Sequence, residues 1–267
     1  MRVKCYRCIF SMGMQKAMTY RADFFLSLVS CVFPIIMQTY LWTALFKVGA
    51  ADTNGYTYEQ MILYTLLAGV TSRIVSTGFE LDVAKDIKNG ELSRYLVKPV
   101  NYGGYYFAQF IGGKVSAVLF LLIITAAVLT GSAVALGTMV EPLRVLLYIA
   151  SLFLALILNF SIFFTIALLG FWLTEIGQLF GTISIVIMVI SGGVFPLDIF
   201  GKAASTMASL LPFGYTTQFC VNIINGRLAI EAIGQGFVIQ IVWISIFTAL
   251  HVIMWNAGTK HYTAVGG

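Results

Sequence analysis

Two cysteines three residues apart, two histidines and a lysine behind a glycine pair are the groups whose spacing invites chemistry. Cys5-x-x-Cys8 has the spacing of a metal or redox pair. No second pair and no nearby histidine accompanies it, so helix-surface cysteines are the simpler reading. Cys31 and Cys220 share no oxidising compartment with obvious partners, so no disulfide framework is expected. His251 has no carboxylate on its own apolar segment, and His261 is the only other histidine. A nucleophile–base set or a metal-assisted site therefore lacks raw material. Gly112-Gly113-Lys114 ends like a phosphate loop, but the first glycine of G-x-x-x-x-G-K-[ST] is missing and Val115 follows the lysine. An enzyme is not expected, and neither is a bound cofactor or metal.

The elements that hold these residues are apolar and long. Runs at 24–46, 58–79, 115–136, 145–173, 176–197 and 237–255 can each cross about 30 Å of hydrocarbon as a helix. Only the second carries charge, with Arg73 inside it. A soluble helix would alternate apolar and polar faces, whereas these runs are apolar all round. Hydrophobic residues make up 59% of the 267-residue chain and charged ones 10%, with a mean hydropathy of +0.91. A soluble domain would carry about a quarter charged residues. The expected fold is all-α: one polytopic membrane domain over 1–267, with six transmembrane helices.

Lys and Arg set the orientation. Arg2, Lys4, Arg7, Lys16 and Arg21 precede the first run; Lys85, Lys88, Arg94, Lys98 and Lys114 separate the second from the third; Lys260 follows the sixth. The other side has Lys47, Arg144, Lys202 and Arg227. Both termini are thus expected in the cytoplasm, with the chain in the cell membrane. The first twenty residues show no small-residue cleavage site, so the first span is expected to be retained as a signal anchor.

Between the spans the sequence remains structured. Tyr6, Phe10, Met14 and Ala17 form one stripe, which reads as an amphipathic interfacial helix over Lys4–Tyr20 against the alternative of a basic leader. The coupling segment 80–101 alternates in charge through Glu80, Asp82, Lys85, Asp86, Lys88, Glu91, Arg94 and Lys98, with Asn89-Gly90 as a helix stop. A charge run is ordinarily a solvated loop. Val83, Ile87, Leu92 and Leu96 among the charges instead suggest a short amphipathic helix that docks onto a soluble partner. Segment 198–236 is too apolar for a solvated loop and too broken for a straight span. Pro196 and Pro212 mark helix starts or stops, and Phe213 and Tyr215 belong to its apolar content. Re-entrant helices fit it, with a surface-lying amphipathic helix as the alternative. Arg73 lies about two turns from Glu80, which leaves snorkelling, pairing with an acid, or a conducting role open.

Two of these segments resemble one family. Val83–Tyr102, "VAKDIKNGELSRYLVKPVNY", is similar to the stretch between spans two and three of type-2 ABC exporter permeases: an amphipathic stretch, Gly-Glu-Leu, then a basic-Pro pair. Ser191–Leu228 resembles the family's signature near span five, with a small-residue pair, Phe-Pro, Leu-Pro-Phe and a terminal Asn-Gly. The likeness extends over the whole chain in length, topology and motif order. Gly201 and Cys220 depart from it, standing where prolines are common.

The resemblance implies a permease subunit of an ATP-driven exporter that moves an amphipathic or hydrophobic substrate out of the cytoplasm or inner leaflet. ATP and magnesium would sit on a separate cytoplasmic ATPase. That ATPase would meet the N-terminal helix and the residues Val83, Ile87, Glu91, Leu92 and Arg94, with Glu175 as a second contact or a helix cap. A second permease, identical or related, would complete a dimer. Its interface would use small residues, Gly177 and Gly181 or Gly192 and Gly193, although packing within one subunit explains such pairs equally. Phe33, Tyr40 and Trp42 would line the path or face lipid. Membrane lipids are expected partners and nucleic acid is not. A secondary transporter would need midplane carboxylates or inverted repeats; a non-transporting scaffold is the other alternative, separable by copurification with an ATPase.

Overall fold

In hydrocarbon a backbone must satisfy its own hydrogen bonds, so apolar runs of this length resolve as helices. The computed structural model describes residues 2–19, 21–49, 55–97, 100–136, 140–173 and 177–262, and every regular element among them is helical. The helices are α1 (Arg2–Thr19), α2 (Arg21–Val48), α3 (Tyr58–Val75), α4 (Glu80–Lys88), α5 (Ser93–Leu96), α6 (Tyr102–Leu136), α7 (Pro142–Ala167), α8 (Gly177–Ile190), α9 (Lys202–Leu210), α10 (Gln218–Ile224) and α11 (Ile230–His261). Short 3₁₀ turns cover Leu168–Phe171, Leu197–Phe200 and Phe213–Tyr215.

Among the described residues three helical units are long and apolar enough to cross a membrane: Tyr58–Lys88, Pro142–Phe171 and Ile230–Lys260. A fourth is Tyr102–Val115 joined to Ala117–Gly131 across a 43° bend. Val32–Val48 and Gly177–Ile190 are shorter apolar helices. The chain is thus a multi-pass membrane protein; the long unit from Tyr58 continues into α4, and α6 starts at Tyr102 rather than near Val115. The fifth apolar run stops at Ile190, where 176–197 had been the expected extent. Gly192 takes φ +76°, which a non-glycine residue rarely adopts, and Tyr64 donates its hydroxyl hydrogen to the Gly192 carbonyl at 2.6 Å.

Pro142 opens α7 at its first turn, where a missing N–H costs nothing. The span it starts is central: 72% of its apolar window is buried, against 6% for α11 at the periphery. α7 packs on α3, α10 and α11, while α1 lies along α6. An aromatic cluster ties the basic end together. Phe160 and Phe164 stack at 5.5 Å, Phe79 sits 4.8 Å from Phe160, and Tyr102 stacks on Trp255 at 5.0 Å. Such pairs add to the burial of their large apolar area.

Candidate functional site

Three surfaces are built by these helices, beginning with the charged end. α4 carries the expected amphipathic period, and its apolar face is turned into the chain's own core. Val83 and Leu92 are fully buried, and Ile87 nearly so. α4 seats against the 3₁₀ turn Leu168–Phe171, where Ala84 and Ile87 lie about 3.5 Å from where a Cβ on Gly170 would stand. Val83, Ile87 and Leu92 therefore anchor the segment and are covered against a partner; an apolar stripe at helical spacing serves either purpose. The exposed face presents Leu81, Asp82, Lys85, Lys88, Glu91 and Arg94, with Arg94 paired to Glu91.

Asp86, unremarked as a site in the sequence, holds this end in place. It is buried and accepts hydrogen bonds from the hydroxyls of Tyr102 at 2.9 Å and Tyr106 at 2.7 Å. Tyr95 packs on both rings, and burial followed by the nearby Asp86 charge pushes its phenol above the usual range. α1 is docked along α6. Gly13 faces the Gln109 carbonyl and Gly112 faces the Phe10 carbonyl so closely that no Cβ fits at either. Cys5 and Cys8 are free and exposed on α1.

The second surface is a cleft of about 220 Å³ between α3, α7, α8 and the turn before α10. Ser72, Ser76, Asn159, Ser184, Thr216 and Thr217 set polar groups into a wall that Val75, Phe163, Ile187 and Met188 keep mostly apolar, and Glu80 is also in the lining. Asn159 is fixed by donating to the Val75 carbonyl at 2.6 Å. Glu80 Oε2 and Ser72 Oγ are buried and find no hydrogen-bond partner among the described residues. No periodicity in the sequence signals this cleft, because its polar groups come from four separate elements.

The third surface caps the opposite end. α10 is buried along its whole length, and its neighbours lock it with polar contacts. Asp198 accepts from Tyr56 at 3.1 Å and from Gln218 at 2.9 Å; Asn225 donates to the Gln60 carbonyl at 3.0 Å. Arg144 donates to the carbonyls of Ile223 at 3.2 Å and Leu228 at 3.1 Å. The Arg227 guanidinium lies 3.9 Å over the Tyr56 ring. Burial, then the Asp198 charge, raise the Tyr56 phenol well above its ordinary value. Pro196 and Pro212 are buried at the ends of this cap; Phe213 is half-buried, and buried Tyr215 donates to the Ser209 carbonyl at 3.0 Å.

The remaining predicted positions divide. Gly192 and Gly193 pack inside the chain, against Gln218 and Tyr64 and against Ser72 respectively. Gly177 and Gly181 have nothing within 4 Å of an added Cβ and lie on the open face of α8. Trp42 is buried edge-on to Phe195 at 6.0 Å, whereas Phe33 and Tyr40 are exposed. Arg73 points into a groove beneath α1 together with Lys16 and Lys114. Glu175 lies outside the described residues, as do Lys98 and Pro99.

No curated protein and no solved structure matches this chain. A family model does, covering residues 22–266 under the description ABC-2 family transporter protein. The buried amphipathic α4, the capped end and the apolar spans accord with a match over nearly the whole length, and the chain belongs to the ABC-2 transporter family as its membrane permease.

Proposed function

We propose that this permease is one half of an exporter, driven by a separate cytoplasmic ATPase that carries the ATP and magnesium. The observation that carries the reading is the division of α4 into two faces. One face is locked onto α7 and its terminal turn, and the other is bare and charged. A push on the exposed face would be transmitted to α7, the central span, because Val83, Ala84 and Ile87 are buried in the contact between them. The docking residues are then Leu81, Lys85, Lys88, Glu91 and Arg94, with α1 beside them.

Six crossings are reached when α2 and α8 are counted with the four longer units. α8 alone spans about 21 Å. The buried turn at 191–193 would complete its crossing, since non-helical backbone at membrane depth is tolerated where protein shelters it. The basic end would face the cytoplasm, with both termini, in the plasma membrane. An amphipathic or hydrophobic substrate would pass its polar part along the hydroxyl-lined cleft and leave by the cap. A second permease subunit would face the open side of α8.

The test is isolation of the tagged chain in mild detergent with an ATPase assay on what it retains. A stoichiometric nucleotide-binding subunit is expected, and Lys85→Glu with Lys88→Glu is expected to release it while leaving the helical content unchanged. A stable chain without any ATPase overturns the coupling reading.

A further inference from the structure

Beneath α1 lies a groove of about 460 Å³, bounded by α1, the α3–α4 junction and α6. Three cations line it, Lys16, Arg73 and Lys114, against one acid, Asp82. Asp82 is committed to Lys16, 3.8 Å from its Nζ. Among the described residues no carboxylate lies within 4.0 Å of Arg73 or Lys114. Lys114 is held at the groove wall by donating to Ser76 Oγ at 3.1 Å and to the Arg73 carbonyl at 3.4 Å. An ammonium has three donors, so one remains for a ligand.

Two like charges in a partly buried site repel each other more than in water, and each has lost hydration. An anion placed between them offsets that repulsion, adding to the charge of Glu80, which also acts on Lys114. The guanidinium offers a planar fork that matches phosphate oxygens, and the ammonium adds a point charge beside it. The remaining walls suit an amphiphile. Gly78 has nothing within 4 Å of an added Cβ, Gly13 and Gly113 add no side chain, and Phe79, Phe110 and Ala117 are apolar.

We propose that this groove is a binding site for a phosphate-bearing anion, occupied in the membrane by the headgroup of an anionic phospholipid. Its position at the positively charged end puts it at headgroup depth, where α1 meets the spans. The site stands independently of ATPase coupling and of the exported substrate. Lipid held there would bridge α1, α3 and α6, the helices around the groove.

The test uses the purified full-length chain in detergent and native mass spectrometry with phosphatidylglycerol or phosphatidylcholine. The wild-type chain is expected to retain phosphatidylglycerol about tenfold better. Arg73→Gln with Lys114→Gln is expected to abolish that preference, and the charge-keeping pair Arg73→Lys with Lys114→Arg to restore it. Lys4→Gln with Arg7→Gln removes the same charge from the exposed side of α1 and is expected to change nothing. If that surface pair lowers the preference as much as the groove pair, attraction is general and the site is overturned. Retained preference in the groove pair overturns it as well. Where the double variant does not fold, Arg73→Gln and Lys114→Gln are read singly, each expected to lower the preference by about threefold. Excess inorganic phosphate distinguishes the source: failure to displace the lipid supports a headgroup site, and displacement with equal retention of both lipids overturns it in favour of soluble phosphate.

Discussion

At the scale of single residues, the positions where side chains are missing or locked decide most. An added Cβ at Gly112 would come 2.1 Å from the Phe10 carbonyl oxygen, a backbone atom that cannot swing aside. Gly112→Val is therefore expected to lift α1 from α6 and to cost about 1–3 kcal/mol, read as a lower midpoint in thermal unfolding. Gly131→Val, later on the same helix and with nothing within 4 Å, is the control that should not destabilise. Tyr56 makes a second prediction. Its phenol is raised by burial, so the folded value exceeds the unfolded one of about 10. Its contribution is whole below pH 10 and falls above it, because the unfolded chain loses the proton first. Tyr56→Phe removes the bonds to Asp198 and Asn222, is expected to cost about 1 kcal/mol near neutrality, and flattens the alkaline loss of stability.

At the scale of elements, α4 shows what a periodic pattern says and what it leaves out. Val83 and Ile87 on one stripe, with Lys85 and Lys88 off it, mark a covered face. The pattern is silent on whether a partner or the chain itself covers that face, and here the turn after α7 does. Ile87→Asp is thus expected to destabilise the permease by several kcal/mol through an unpaired buried carboxylate, whereas Lys85→Glu should stay within about 0.5 kcal/mol. Melting curves of the two purified variants check this. The apolar runs were legible for the same reason that they are helices: all-round hydrophobicity needs no tertiary information. Their ends were less so. Ile190 closes α8 because Tyr64 reaches Gly192 from a distant part of the chain, and Tyr102 opens α6 early because Asp86 gathers tyrosines there. Both are contacts between separate elements, 128 and 16 residues apart in sequence. The polar cleft was invisible for that reason too, since Ser72, Asn159 and Thr216 share no local pattern.

At the scale of the whole molecule, the spans differ in how much of their surface the chain covers. α7 is enclosed, while α8 buries only Phe180 and Ile187 and leaves Ile185, Val186, Met188 and Val189 exposed. Exposed apolar side chains alone suit lipid equally well. Gly177 and Gly181 distinguish α8, because two glycines four residues apart on an open helix permit close approach of another backbone where lipid requires none. The glycine pair at 192 and 193 has already spent its room inside the chain. A second permease subunit against the first pair would place the two α8 helices, and the clefts beside them, next to each other. Gly181→Cys is expected to form an oxidised dimer in membranes, resolved as doubled mass without reductant. Gly193→Cys should give none, since the Ser72 hydroxyl and Met188 carbonyl enclose that position. A monomeric Gly181→Cys chain under oxidant would remove the identical-subunit pairing across this face, and coexpression with a related permease would then test pairing of unlike chains.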